Sequence, residues 1–167
     1  KRNYILVNDS VNNATTQKLF TYSIENNYKF IPIRTFNKIN KKNLMSAKTL
    51  IKNLIKFILA KLSLVIGNKS SFNYMNYYSW NINEFLNRLV NSSGVLTGRF
   101  HTVCFCIVTK TPFVAISSNT PKIEILCKEI GLNMSKRIQY DINKIKLIPK
   151  FEKNELDNIN NYLNKSV

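Results

Sequence analysis

Short apolar runs alternate with segments of helical periodicity along most of the chain. The runs predict buried strands at residues 4–7, 28–33, 94–97 and 112–116. Apolar positions three and four apart predict helices over residues 15–26, 82–90, 99–109 and 121–130, the last closed by Gly131. Further on, the pattern predicts a strand or loop over residues 138–148 and a terminal helix over 152–163. This alternation indicates an α/β fold, a Rossmann-like parallel sheet with helices on both faces.

Two segments stand outside this alternation. Residues 38–67 form a predicted basic amphipathic helical insertion, with Lys48, Lys52 and Lys56 spaced four apart. Such a helix either packs its apolar face on the sheet or rests on anionic lipid with its lysines at the headgroups. Residues 72–80 contain five aromatic side chains, which suit either a packed connection beneath the sheet or a stacking surface for sugars or bases.

The composition fits one folded domain, and we assign residues 1–167 to a single Rossmann-like domain. The 44% hydrophobic content argues against disorder. Lys and Arg number 25 against 9 Asp and Glu, a formal charge of +16. Because the lysines are dispersed among abundant asparagines, the charge favours an anionic substrate or a membrane face over nucleic acid.

The start of the chain and its cysteines bear on where the protein works. The first residue is Lys1 and a strand follows almost at once, so we expect the C-terminal half of a longer protein. The sequence shows neither a signal peptide nor an apolar membrane span. Cys104, Cys106 and Cys127 lie in apolar segments without a CxxC motif, which favours reduced core thiols and a cytoplasmic location.

Chemistry-bearing residues follow two predicted strands. Gly98, Arg99 and His101 come directly after the strand at 94–97, where they offer a tight turn, a guanidinium fork and a proton donor. After the next strand, Ser118 and Asn119 offer hydroxyl and amide hydrogen-bond donors. They are followed by Thr120 as the predicted N-cap and Pro121 as the first helical residue. In a parallel sheet both junctions open on one edge beside helix N-termini, so the sequence predicts an anion pocket there.

Other site types are not indicated. His101 and Cys104 lack further nearby metal ligands, so no metal site is predicted. The sequence also lacks the phosphate-binding loop, the glycine-rich dinucleotide motif and the G-x-S-x-G motif.

Residues 94–132 resemble the C-terminal half of polysaccharide pyruvyl transferases. The resemblance rests on G-R-F-H at 98–101, the strand P-F-V-A at 112–115 and S-N-T-P-K-I-E at 118–124, in that order. It implies a two-domain fold similar to GT-B glycosyltransferases, with an N-terminal acceptor domain absent from this chain and the chain inactive by itself. The implied reaction moves a pyruvyl group from phosphoenolpyruvate onto two sugar hydroxyls as a ketal, in capsule, exopolysaccharide or cell-wall glycans.

The resemblance also implies roles for individual residues. Arg99 would hold the donor's phosphate or carboxylate, with a backbone amide from Phe100, and His101 would be the general acid. The substrate-binding set it implies is Gly98, Arg99, Phe100, Ser118, Asn119, Thr120 and Lys122. Glu124 matches the second element without an implied role. The implied partners are phosphoenolpyruvate as donor, without a further cofactor, and a sugar or lipid-linked oligosaccharide acceptor at the inner face of the plasma membrane.

One departure and two alternatives accompany this interpretation. Family members often carry a second basic residue after the first strand, where this chain has the turn formers Asn8, Asp9 and Ser10, and Arg34 is the candidate substitute. The first alternative is a glycosyltransferase of similar fold whose pocket takes a nucleotide sugar. The second is a non-catalytic basic module that binds RNA or membrane through the insertion and the aromatic segment.

Overall fold

The computed structural model describes residues 4–33, 82–117, 120–145 and 147–165. The strands in these ranges are β1 (Ile5–Ser10), β2 (Lys29–Phe30), β3 (Gly94–Gly98), β4 (Phe113–Ile116) and β5 (Ile138–Gln139). The α-helices are α1 (Asn13–Glu25), α2 (Ile82–Val90), α3 (Phe100–Val108), α4 (Lys122–Ile130), α5 (Met134–Arg137) and α6 (Lys153–Lys165). A 3-10 turn at Ile142–Lys144 follows β5.

The five described strands form one parallel sheet in the order β2-β1-β3-β4-β5. Because all five run the same way, their carboxyl ends share one edge, and β1, β3 and β4 are its central members. The predicted α/β, Rossmann-like fold is therefore confirmed.

Side chains that alternate along the strands build a core on each face of the sheet. Leu6, Val95 and Phe113 pack with residues of α2, α3, α4 and α6 on one face. Val7 and Leu96 pack with α1 and with residues that follow β5 on the other. Both faces of the strands are buried in this way, which explains why the strand sequences are continuous apolar runs.

A buried ion pair joins the C-terminal helix to the sheet. Arg137 and Glu155 are 0% and 1% exposed, and the Arg137 guanidinium forks onto the Glu155 carboxylate at 3.0 and 2.6 Å. Arg137 also donates to the carbonyl oxygens of Phe113, Pro149 and Lys150, and Glu155 accepts the backbone N–H groups of Asn133 and Glu152. The pair thus replaces the hydration of both charges with bonds inside the protein.

Several predicted element boundaries differ from the structure, where the strand predicted over 28–33 is only Lys29–Phe30, and two of the differences lie at the candidate site. The first strand does not end at residue 7, because Asn8, Asp9 and Ser10 are buried strand residues rather than a turn. The fourth helix begins one residue later than predicted, with Pro121 in the cap position instead of Thr120. Gly131 closes that helix in the left-handed conformation, with φ of 79°, as expected.

Several predicted features lie outside the described residues: the insertion at 38–67, the aromatic segment at 72–80, Arg34, Ser118 and Asn119. In the ranges that the structure does describe, no helix has the length and apolar character needed to cross a membrane.

Candidate anion site at the carboxyl edge of the sheet

The G-R-F-H segment forms the junction between β3 and α3 at the carboxyl edge of the sheet. Gly98 is the last residue of β3, Arg99 is the N-cap residue of α3, and Phe100 and His101 begin the helix. The Arg99 side chain makes no capping bond, and its own N–H donates to Thr97 Oγ1 at 3.0 Å. Since the first N–H groups of a helix have no partner within it, this helix start can receive an anion.

Arg99 and Asp9 form a two-point ion pair between neighbouring strand ends. Arg99 Nε donates to Asp9 Oδ1 at 2.9 Å, and Arg99 Nη2 donates to Asp9 Oδ2. Asp9 Oδ1 also accepts the backbone N–H of Ile33 at 2.8 Å. The Asp9 side chain is 4% exposed and that of Arg99 21%, so the pair has a buried end at β1 and an open end at the sheet edge.

The electrostatics of this pair reflect opposing effects on Asp9. Burial raises the pKa of the Asp9 carboxyl, and the hydrogen bonds and charge of Arg99 oppose that rise without cancelling it. The contact with Arg99 thus stabilises the ionised form of the Asp9 carboxyl. Loss of the guanidinium would remove the largest effect that opposes burial, and the pKa of Asp9 would rise further.

A second network holds the backbone of the same junction. Asn8 is completely buried, and its Oδ1 accepts the hydroxyls of Thr97 at 3.0 Å and Thr102 at 2.7 Å. Asn8 Nδ2 donates to the carbonyl of Ile31 at 2.6 Å. Thr97 then accepts the N–H of Arg99, so one amide at the end of β1 fixes the residues on either side of the turn.

His101 lies at the open end of the junction. It is exposed on the first turn of α3, and its ring meets the edge of the Phe100 ring at a centroid distance of 5.9 Å. Within the described ranges no hydrogen bond to the imidazole is found. Phe100 is partly buried against the core and anchors this turn, while the imidazole of His101 remains exposed beside it.

The second predicted junction, after β4, lies on the same edge because β3 and β4 are adjacent and parallel. Ser117 donates its hydroxyl to Glu124 Oε1 at 2.6 Å and its N–H to the carbonyl of Gln139 at 2.9 Å. Thr120 and Lys122 are exposed. Glu124 Oε2 is buried and has no hydrogen-bond partner among the residues with a described placement.

The polar residues at the end of β1 were missed as site residues by sequence reasoning. The sequence pattern predicts a turn at Asn8 and Asp9, yet they hold the backbone and the guanidinium of Arg99. The available signal was their position, since polar residues directly after an apolar strand lie at the ligand edge of a parallel sheet.

Cysteine and metal chemistry add little to this site. Cys104, Cys106 and Cys127 are free thiols, and the latter two are buried. Burial raises the pKa of Cys127 to about 12, so it stays protonated and packs as an apolar group. The described part of the chain holds no cluster of three or more His, Cys, Asp or Glu side chains suited to a metal ion.

Comparison with known protein families gives a match. The family model of polysaccharide pyruvyl transferase matches residues 1–120. That range contains β1, β3, β4 and the whole G-R-F-H junction. Searches of curated proteins and of solved structures gave no match.

Proposed function

Because the chain belongs to the polysaccharide pyruvyl transferase family, we propose that it binds phosphoenolpyruvate at residues 98–101 and transfers the pyruvyl group to a sugar as a ketal. The observation that carries this proposal is the junction itself. An anchored guanidinium, the first N–H groups of α3 and an exposed imidazole lie at the carboxyl edge of the sheet. A donor with one phosphate and one carboxylate needs those groups.

The chemistry requires a proton donor next to an anion site. His101 gives a proton to the methylene carbon of the enol, which turns the adjacent carbon into an electrophile. One sugar hydroxyl adds to that carbon, and its proton returns to the His101 imidazole. A second hydroxyl of the same sugar then attacks the same carbon, the C–O bond to phosphate breaks with its electron pair on the phosphate, and the departing phosphate takes the proton of this hydroxyl as the cyclic ketal closes.

The positive charge of Arg99 supports these reaction steps. Its guanidinium would pair with the phosphate or carboxylate of the donor, and the N–H of Phe100 would add a directed hydrogen bond. Thr120 and Lys122, which are exposed after β4, would complete the cradle together with Gly98, Ser118 and Asn119. This arrangement binds the phosphate as it departs, when its charge is greatest.

The remaining features extend the proposal to the whole protein. We expect an N-terminal domain to supply the acceptor site, so this Rossmann-like domain alone would bind donor without turnover. The acceptor would be a sugar or a lipid-linked oligosaccharide, met in the cytoplasm at the inner face of the plasma membrane. No further cofactor enters the reaction as written.

A product assay tests this function. The intact protein is incubated with phosphoenolpyruvate and a panel of lipid-linked oligosaccharides, and released phosphate and pyruvylated glycan are measured together. Equal amounts of both products are expected, and both should form about 10²- to 10⁴-fold more slowly with His101→Gln. Transfer of a sugar from a nucleotide donor without consumption of phosphoenolpyruvate would replace this function with glycosyl transfer.

A further inference from the structure

We infer that Asp9 is a positioning residue that fixes Arg99 so that the donor's anionic group binds the Nη1 side of the guanidinium, an inference that rests on the proposed function. A guanidinium has two edges that can fork onto an oxyanion. Asp9 takes the edge formed by Nε and Nη2. The edge that includes Nη1 is the one left for a ligand, since no described residue accepts a bond from Nη1.

The buried position of Asp9 keeps the Nε and Nη2 edge of the Arg99 guanidinium on its carboxylate. Its carboxylate is nearly completely buried at the end of β1 and is held by the N–H of Ile33 as well as by Arg99. Arg99 is mostly covered as well, so its side chain has little freedom to turn toward solvent. The guanidinium therefore meets the ligand in one orientation, and little side-chain entropy is lost on binding.

The backbone of Arg99 is held independently. Asn8, the neighbour of Asp9, binds Thr97 and Thr102 on the two sides of the junction, and Thr97 accepts the N–H of Arg99. Two consecutive residues of β1 therefore fix the main chain and the side chain of one arginine. The first-turn N–H groups of α3 and the guanidinium are held in register by the same strand.

The charge balance changes the expected mode of recognition. Asp9 offsets the charge of Arg99, so the ligand is recognised by directed N–H bonds more than by net positive charge. A lysine at position 99 has one ammonium group and lacks the planar fork of a guanidinium. It could pair with Asp9 or with the ligand, but it could not make a two-point contact with each of them. The pair thus gives a physical reason for arginine rather than lysine at position 99.

The test is a double-mutant cycle on the intact protein, with phosphoenolpyruvate affinity measured by calorimetry. The variants are Asp9→Asn, Arg99→Gln and both together, and Glu84→Gln is the control because it removes a carboxylate from the exposed Glu84–Arg88 pair. Asp9→Asn is expected to weaken binding about tenfold. In the Arg99→Gln background the same change should alter affinity less than about twofold.

Two results overturn the inference. The first is an Asp9→Asn protein with a wild-type melting profile and wild-type affinity. The second is an equal loss of affinity from Asp9→Asn in both backgrounds, which would mean that Asp9 acts through the fold and not through Arg99. The control variant should bind as the wild type does.

A further variant decides the matter if Asp9→Asn does not fold. Arg99→Lys keeps the charge and is expected to lose as much affinity as Arg99→Gln, since an ammonium cannot replace the fork. Wild-type affinity in Arg99→Lys contradicts the inference.

Titration with nucleotide sugars separates this inference from the proposed function. If the wild type binds only a nucleotide sugar, the proposed function fails, and the same cycle measured with that ligand decides the role of Asp9. A wild type that binds neither donor overturns both.

Discussion

Gly98 and Ser10 face each other across β3 and β1 so closely that only glycine fits at position 98. A Cβ atom built on Gly98 would lie 2.5 Å from Ser10 Cβ and 2.6 Å from Ser10 Oγ. Ser10 is itself held by Thr16, which donates its hydroxyl to the Ser10 carbonyl at 2.9 Å and accepts the Ser10 N–H at 3.0 Å. The turn into Arg99 therefore depends on a close approach between two strands.

Gly98→Ala is expected to destabilise the protein by about 1 to 3 kcal/mol, because the added methyl group must push β1 and β3 apart. Thermal or denaturant unfolding measures the change. Adding Ser10→Gly, which removes the opposing side chain, should restore part of the loss. A Gly98→Ala protein as stable as the wild type would show that the strands have room there.

Replacement of His101 by Gln should separate catalysis from binding. The imidazole is exposed and its loss disturbs little packing, so stability and phosphoenolpyruvate affinity should stay near wild type. Turnover should fall by about 10²- to 10⁴-fold, the usual contribution of a general acid. Single-turnover kinetics with calorimetry check both quantities. Unchanged turnover would remove His101 from the mechanism.

The buried pair of Arg137 and Glu155 predicts a non-additive effect on stability. Arg137→Met alone leaves the Glu155 carboxylate buried without its partner, and a loss of about 3 to 5 kcal/mol is expected. The double variant Arg137→Met with Glu155→Leu should be more stable than that single variant, because no lone charge is left. Denaturant unfolding of the set measures the coupling, and simple additivity would contradict the account.

The pH dependence of the free energy of unfolding should reflect the lowered pKa of Glu155. Burial alone would raise its pKa, but bonds from Arg137 and from the N–H groups of Glu152 and Asn133 together hold the pKa below its ordinary value. The folded state thus binds this proton more weakly than the unfolded state. The stabilisation is present at neutral pH and is lost as pH falls through the folded pKa. Unfolding free energies of wild type and Glu155→Gln from neutral to acid pH should converge, and parallel curves would exclude this role.

The strands and the G-R-F-H junction were predictable because continuous apolar runs and helical spacing are local signals. The role of Asp9 was not predictable, because the local sequence Asn-Asp-Ser is typical of a turn. The burial of Asp9 is compensated by Arg99, 90 positions along the chain, and by the N–H of Ile33, and no local pattern indicates those contacts. The start of α4 was misplaced for a similar reason, since Thr120 and Pro121 fit a helix start in either of two registers.

The measurement that tests the central claim most directly is calorimetric titration of the intact protein with phosphoenolpyruvate, in parallel with nucleotide sugars. Arg99→Gln is compared with Arg88→Gln, whose arginine also pairs with a carboxylate but on an exposed helix face. We predict that wild type and Arg88→Gln bind phosphoenolpyruvate equally well and that Arg99→Gln binds it much more weakly. Unchanged phosphoenolpyruvate affinity in Arg99→Gln would contradict the assignment of the donor site to the end of β3.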